Sequence, residues 1–279
     1  MSRWVIILLL MLVVMWALIP PLLTLQTSFM TAYVFINPLR AISRMSLANW
    51  RYMPYRLILK WIRNSLFVCG ISSLLATFTC MLAGFGFAKY NFRGKNVIFW
   101  LFLVSMMVPI TVLFLPRFLI VRNLGMFDSF AGMIAPMLIY PAGVFFARQY
   151  ISRISGELAE AARIDGASEF QIFRHIIIPL THPLLAILIL FTFMNTWHQF
   201  MWQFLVARNA EIQTLMVGLG SFLRGLGTGG EFAITGTSPV SLEGLQATAS
   251  IILALPPMLI FILGQRYFLT GLIMGGGYE

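Results

Sequence analysis

The chain has 279 residues, 59% of them hydrophobic and 10% charged, with a mean hydropathy of +0.88 and a formal net charge of +10. A soluble domain carries about a quarter of its residues as charged side chains. This composition therefore excludes a soluble enzyme or binding module and requires an integral membrane protein.

A helix rises about 1.5 Å per residue, so roughly 20 apolar residues cross the hydrocarbon. Six such stretches occur in chain order, at about 4–25, 62–88, 97–119, 130–150, 184–206 and 247–268. None carries Lys, Arg, Asp or Glu in its central portion. A charge there costs roughly 2.5–3.5 kcal/mol on insertion scales. The fold class expected is an all-α, polytopic membrane bundle of about six spans, forming one transmembrane domain over 1–279.

The first span follows Ser2-Arg3 and ends in Ile19-Pro20-Pro21, not in a small-residue cleavage pattern, so it reads as a retained signal-anchor. With its outer loop it occupies 1–60. Within 45–63 the residues Trp50, Tyr52, Tyr55 and Trp61 alternate with Arg and Lys, as in an amphipathic helix lying at the headgroups. In the second span Cys69 and Cys80 are eleven residues apart, about 16 Å along one helix and too far for a disulfide. They read as small packing residues. Lys89, Arg93 and Lys95 crowd the turn before the third span, and by the positive-inside rule that turn and both termini face the cytoplasm. Prolines 109 and 116 in the third span, 136 and 141 in the fourth and 256 and 257 in the sixth are expected to kink their helices.

The polar segment 152–183 stands apart. Only nine Asp and Glu occur in the chain, and Glu157, Glu160, Asp165 and Glu169 fall within thirteen residues of it. Ser155 can cap a helix starting at Gly156–Glu157, with Glu157 and Glu160 favourable at its positive end. Leu158, Ala161, Ala162 and Asp165 share one face. Gly166 suits the left-handed turn that ends a helix. Ser168 and Gln171 make a capping box for a second helix, which shows Phe170, Phe173 and Ile177 on one side and stops at Pro179. A helix-turn-helix that gathers its carboxylates outside the lipid is built to meet a partner.

The fifth span holds the densest polar set. Asn195, His198, Gln199 and Trp202 recur at i, i+3, i+4 and i+7, which is one helical face. Amides, an imidazole and an indole suit a path for sugar hydroxyls. Equally, such groups glue helices together. The outer segment 208–246 is rich in glycine and reads either as a flexible connector or as a loop that approaches a ligand closely. The outer side carries ten basic and four acidic residues, a net of +6. Interfacial snorkelling accounts for this, and attraction of an acidic solute is the sharper alternative.

The helix-turn-helix of 152–183, an elbow between the fourth and fifth spans, also carries a family resemblance. Glu160-Ala161-Ala162, three residues, Gly166, nine residues, Ile176, one residue, then Ile178-Pro179 resembles the pattern of the permease subunits of ABC importers, with Ile for Leu as the one change. Asp165-Gly166-Ala167 and the run from Leu255 to Leu272 are similar to the maltose-type carbohydrate-uptake branch, and the likeness covers about 61–272. The tail after Leu272 departs from the family's. The resemblance implies a multi-pass permease of the bacterial cytoplasmic (inner) membrane that imports a sugar or oligosaccharide, neutral or acidic, by alternating access. It implies that the elbow is a cytoplasmic coupling helix with Glu160, Ala161, Ala162, Asp165 and Gly166 at its core. It implies as partners a second permease, two ATPase subunits and an extracytoplasmic substrate-binding protein.

The chain has no G-x-x-x-x-G-K-[ST], since Gly94-Lys95 follows Lys89 and precedes Asn96. ATP and magnesium are expected on the partner ATPase, with no cofactor or metal on this chain, and nothing points to nucleic acid. The alternative is an ion-coupled secondary transporter or channel, which needs intramembrane acids or bases. An enzyme is disfavoured because His175, His182 and His198 fall in two different settings.

Overall fold

The computed structural model describes residues 3–30, 45–227 and 240–275, and their side chains except at 227 and 266–275. Among them every regular element is a helix, and one isolated antiparallel bridge joins Met30 to Met45. The chain divides into two compact units, Met1–Lys60 with Leu215–Pro256, and Trp61–Thr214 with Pro257–Glu279.

In the first unit, the first span is the helix Arg3–Ser28, which accommodates Pro20 and Pro21 and leaves nearly all its apolar side chains uncovered. Its end is tied by a buried amide. Asn49 Nδ2 donates to the carbonyls of Ser28 (3.0 Å) and Met30 (2.7 Å), and Asn49 Oδ1 accepts from the Ser241 amide. Trp50 Nε1 adds a bond to Ser28 Oγ. The interfacial helix expected over 45–63 is not one element. A single short helix, Ala48–Tyr52, ends at extended Met53, and the long second-span helix, Tyr55–Lys89, begins just after Pro54. The residue before a proline avoids helical geometry, which places the break. The glycine-rich segment 208–246 is also corrected in part. Leu215–Gly227 is a helix with Leu215, Leu219, Phe222 and Leu226 buried on one face. That apolar stripe outweighs the roughly 1 kcal/mol that each glycine costs a helix. Residues 228–239 lie outside those described.

In the second unit, the expected 97–119 span is two helices, Lys95–Ser105 and Phe114–Asn123, parted by turns around Pro109. The expected 130–150 span is likewise Phe130–Met137 and Pro141–Ser152, bent by 45°. Tyr140, preceding Pro141, has φ −123° and ψ 89°, so the helix cannot run through it. In contrast, the helix Leu242–Gly275 passes Pro256 and Pro257 without interruption. Three described helices are long and apolar enough to cross a membrane alone, and bent pairs raise the number to five, against the six spans expected.

The second-span and Pro141–Ser152 helices meet through small residues. A methyl added to Gly84 would fall on Ala147, and one added to Gly143 would fall on Cys80. This is the close backbone approach that small residues four apart permit in membrane helices. Cys69 and Cys80 are both buried and free, and Cys80 Sγ donates to the Tyr140 carbonyl at 3.3 Å. Around that contact a core forms from Met81, Phe85, Phe99, Ile151, Ile172, Phe173 and Ile177, and it reaches directly under the polar elbow.

Candidate functional site: the elbow and the break in the fifth span

The elbow folds by local rules. Its first helix is Glu157–Ile164, with Gly156 at the N-cap and Ser155 Oγ accepting from the Glu157 amide at 3.3 Å. The helix closes at Gly166, whose φ is +83°. The Gly166 amide donates to Arg163 O (3.0 Å) and the Ala167 amide to Ala162 O (2.9 Å). That pair of bonds is the Schellman closure, which needs a left-handed residue here. The capping box forms in both directions between Ser168 and Gln171. The second helix then runs from Glu169, widens into a π turn at Phe173–Ile177, continues past Pro179 to Leu180 and turns by 85° into His182–Trp197.

Ala159, Ile172, Phe173 and Ile177 are buried against Met81 and Phe85, and the Phe85 and Phe173 rings lie 5.5 Å apart. The opposite side is bare. Leu158, Ile164 (87% exposed) and Phe170 stand open, and so do Glu160 and Ala161. Ala162, Asp165 and Gly166 line an open cleft of about 380 Å³ with Gln171 and His175. Thus three of the expected elbow residues, Ala162, Asp165 and Gly166, stand in the cleft wall, and Glu160 and Ala161 are exposed on the same short helix outside that lining.

Two residues that sequence reasoning missed tie the elbow to the second span. Lys89 Nζ donates to the Ile154 carbonyl. Tyr90 donates its hydroxyl to Glu169, whose carboxylate also holds Arg163 Nε at 2.7 Å and Nη2 at 3.2 Å. The Arg163 hydrogen bond, followed by that of Tyr90, holds the Glu169 carboxyl below the usual carboxylate range. Partial burial, then Glu169, pushes the Tyr90 phenol up. The available signal was the placement of a basic residue and a tyrosine immediately after the second span.

The fifth-span set is only partly assembled. The helix stops at Trp197, His198 caps it, and Gln199 (φ −80°, ψ 58°) turns the chain into a second helix, Phe200–Val206. Gln199 Nε2 donates to Asn195 Oδ1 at 3.0 Å, and His198 Nδ1 lies 2.7 Å from Met194 O. Asn195 and His198 are exposed and Gln199 is half-buried. Trp202 is not on their face. It is 1% exposed, packed with Val68, Met133 and Val206, and its Nε1 has no acceptor among the described residues. The break between His198 and Phe200 rotates the following helix, so the i+7 relation fails.

Polar groups, buried at Gln203 and Thr214 and more open beyond, fix the helix Phe200–Val206 and the segment after it. Gln203 Nε2 donates to Thr196 O (2.9 Å), and Thr214 Oγ1 donates to Gln203 Oε1. Asn64 Nδ2 binds the carbonyls of Glu211 (2.8 Å) and Gln213 (3.0 Å). Asp128, at φ +54°, accepts from the Arg208 and Asn209 amides, both at 2.8 Å. Among the described residues no three His, Cys, Asp or Glu side chains gather where a metal ion could bind.

Known proteins show the same plan. The arabinooligosaccharides transport system permease protein AraQ of Bacillus subtilis (strain 168) is 37% identical over 217 residues, 78% of this chain and 73% of that protein. The sn-glycerol-3-phosphate transport system permease protein UgpE of Yersinia enterocolitica is 32% identical over 193 residues, 69% of this chain and 65% of that protein. A chain from the crystal structure of a bacterial ABC transporter involved in the import of the acidic polysaccharide alginate matches with a TM-score of 0.78. It covers 96% of this chain and 99% of that one at 22% identity, a likeness of fold. The model of the family described as binding-protein-dependent transport system inner membrane component matches residues 76–272, and the chain belongs to that family of ABC importer permeases.

Proposed function

We propose that this permease admits a sugar or oligosaccharide by alternating access and that its elbow is the handle gripped by a separate ATPase subunit. The observation that carries this reading is the elbow's division into two sides. Its base is rooted in the core through Ile172, Phe173 and Ile177, while Leu158, Ile164 and Phe170 lie uncovered around the cleft. Apolar side chains exposed on a polar segment outside the bilayer fit a protein partner. Glu160 and Ala161 meet that partner, Ala162 and Asp165 shape the cleft, and Gly166 sets the turn.

The elbow and both termini then face the cytoplasm. ATP and magnesium bind the two ATPase subunits, and a second permease and an extracytoplasmic binding protein complete the importer. Asn195, His198 and Gln199 offer hydrogen bonds at the break in the fifth span, with stacked ring pairs Phe193–Trp197 and Phe200–Phe204 beside it. Trp202 supports this break from behind. The carbohydrate reading is supported by the name of the AraQ relative and by this amide-rich, aromatic setting.

The test is transport and substrate-stimulated ATP hydrolysis by the reconstituted complex. Gly166→Val and Ile164→Asp should each lower both at least about tenfold, a change worth about 1.4 kcal/mol of coupling. Normal transport by both variants would remove the docking role. Parallel uptake of neutral and uronate-bearing oligosaccharides at low and high salt decides between neutral and acidic cargo, because steering by the outer charge is screened by salt.

A further inference from the structure

The turn between the second and third spans holds cations that no carboxylate among the described residues neutralises. Gly94 (φ +83°) opens the helix Lys95–Ser105 without a side-chain cap. The amides of Asn96 and Val97 have no acceptor among the described residues. Lys95 Nζ leans back on Tyr90 O (2.7 Å) and Asn91 Oδ1 (3.4 Å). Across from it, the guanidinium of Arg148 rests on the buried Phe99 ring, 3.8 Å from the centroid. A guanidinium so placed keeps its N–H donors at its rim. These groups line an open cleft of about 400 Å³.

Below the cleft the same helix is bare on one side. Val97, Trp100, Leu101 and Val104, spaced i, i+3, i+4 and i+7, are all exposed. Val97 belongs to both the cleft and the stripe. A ligand that satisfies the whole surface has an anionic, oxygen-rich head and an apolar body. A sugar does not need the stripe, and free phosphate does not reach it.

We propose that the cleft of Asn91, Lys95, Asn96 and Arg148 binds the phosphate headgroup of an anionic phospholipid whose acyl chains lie along Val97, Leu101 and Val104. Arg148 and Lys95 supply the charge-assisted hydrogen bonds, and the uncapped amides add fixed dipoles. Basic pockets between spans are suited to such headgroups. The site also adjoins the elbow, because the Tyr90 that accepts from Lys95 on its carbonyl donates its hydroxyl to Glu169. A headgroup that draws Lys95 away from Tyr90 O therefore alters the tie between the second span and the elbow. The inference needs only the membrane setting and stands apart from the choice of cargo.

The experiment is native mass spectrometry of the assembled importer, offered phosphatidylglycerol, phosphatidylcholine of the same chains, short-chain phosphatidylglycerol or inorganic phosphate. Long-chain phosphatidylglycerol should be retained in preference to the other three. The double variant Lys95→Gln, Arg148→Gln should lower that retention about tenfold, the loss expected when charged hydrogen bonds are removed. Arg148→Lys, which keeps the charge, should lower it less. Equal retention of the two long-chain lipids would overturn the proposal. Displacement by phosphate alone would also do so, as would a cross-link showing a partner subunit seated on Val97 and Leu101. The comparison of lipids on the unaltered protein decides the matter even where a variant fails to assemble.

Discussion

The elbow and the break after Trp197 are both places where a helix is made to stop, yet they are held in opposite ways. The elbow is closed by neighbours in sequence, through the Schellman bonds at Gly166, the Ser168–Gln171 box and the Arg163–Glu169 pair. Nearly all of these are solvent-exposed. The break is bridged by buried Gln203, bonded to Thr196 and Thr214, and the segment that follows is held from far along the chain, with Asn64 reaching Glu211 and Gln213 and Asp128 reaching Arg208. An exposed, locally specified element can be pulled as a unit without unmaking the core. A buried, long-range one resists displacement and keeps polar side chains at fixed positions. The first design suits a handle, the second a lining.

Four measurements test that contrast. Asn64→Ala should have the largest effect on stability. It removes the two hydrogen bonds that the buried Asn64 side chain makes to the carbonyls of Glu211 and Gln213, a loss of about 2–3 kcal/mol, visible as a lower thermal midpoint of the complex. Gly166→Ala forces a side chain into the left-handed region, costing roughly 1–2 kcal/mol. Because the elbow is local, it should show as faster hydrogen exchange over 157–171 with little change in the midpoint. Trp202→Phe should cost about 1 kcal/mol or less, since the lost Nε1 has no acceptor to forfeit among the described residues. A change in substrate range without a change in stability would return Trp202 to the path. Glu169→Gln should be the smallest at neutral pH, because exposed ion pairs contribute little. Its sign with pH is set by the depressed Glu169 pKa. The contribution is intact above the ordinary glutamate value of 4.5 and is lost as pH falls through the folded value below it. Exchange at the elbow that rises already near pH 7 would contradict that assignment.

The same contrast explains what could be read from the residues. Gly166, the Ser168–Gln171 box and the Glu157 helix start all obey short-range stereochemistry, and each lies where the spacing put it. The first and second spans were legible from hydropathy alone. The third and fourth were less so, because a hydropathy window averages over Pro109 and Pro141, where the backbone actually turns. The fifth-span face failed because helical spacing assumes an unbroken helix, and the turn at Gln199 is bridged by Gln203, whose side chain bonds back to Thr196 O. Tyr90 and Lys89 escaped because their partners, Glu169 and Ile154, are 79 and 65 residues away. No local rule connects them.

The contact between Gly84 and Ala147 carries one more consequence. The helix bearing Ala147 ends at Ser152, where the elbow begins, and it touches the second span with no atom to spare. Two rods meshed so closely run without backlash, so a displacement of either is shared by both before any side chain has time to give. Enlarging position 84 jams that pair, against the Ala147 methyl first and then against the backbone of Ala147 and Arg148. Gly84→Ala should therefore stall the importer, and Ala147→Gly in the same chain should free it only in part, because backbone atoms of residues 147 and 148 still stand 2.9 Å from the added methyl.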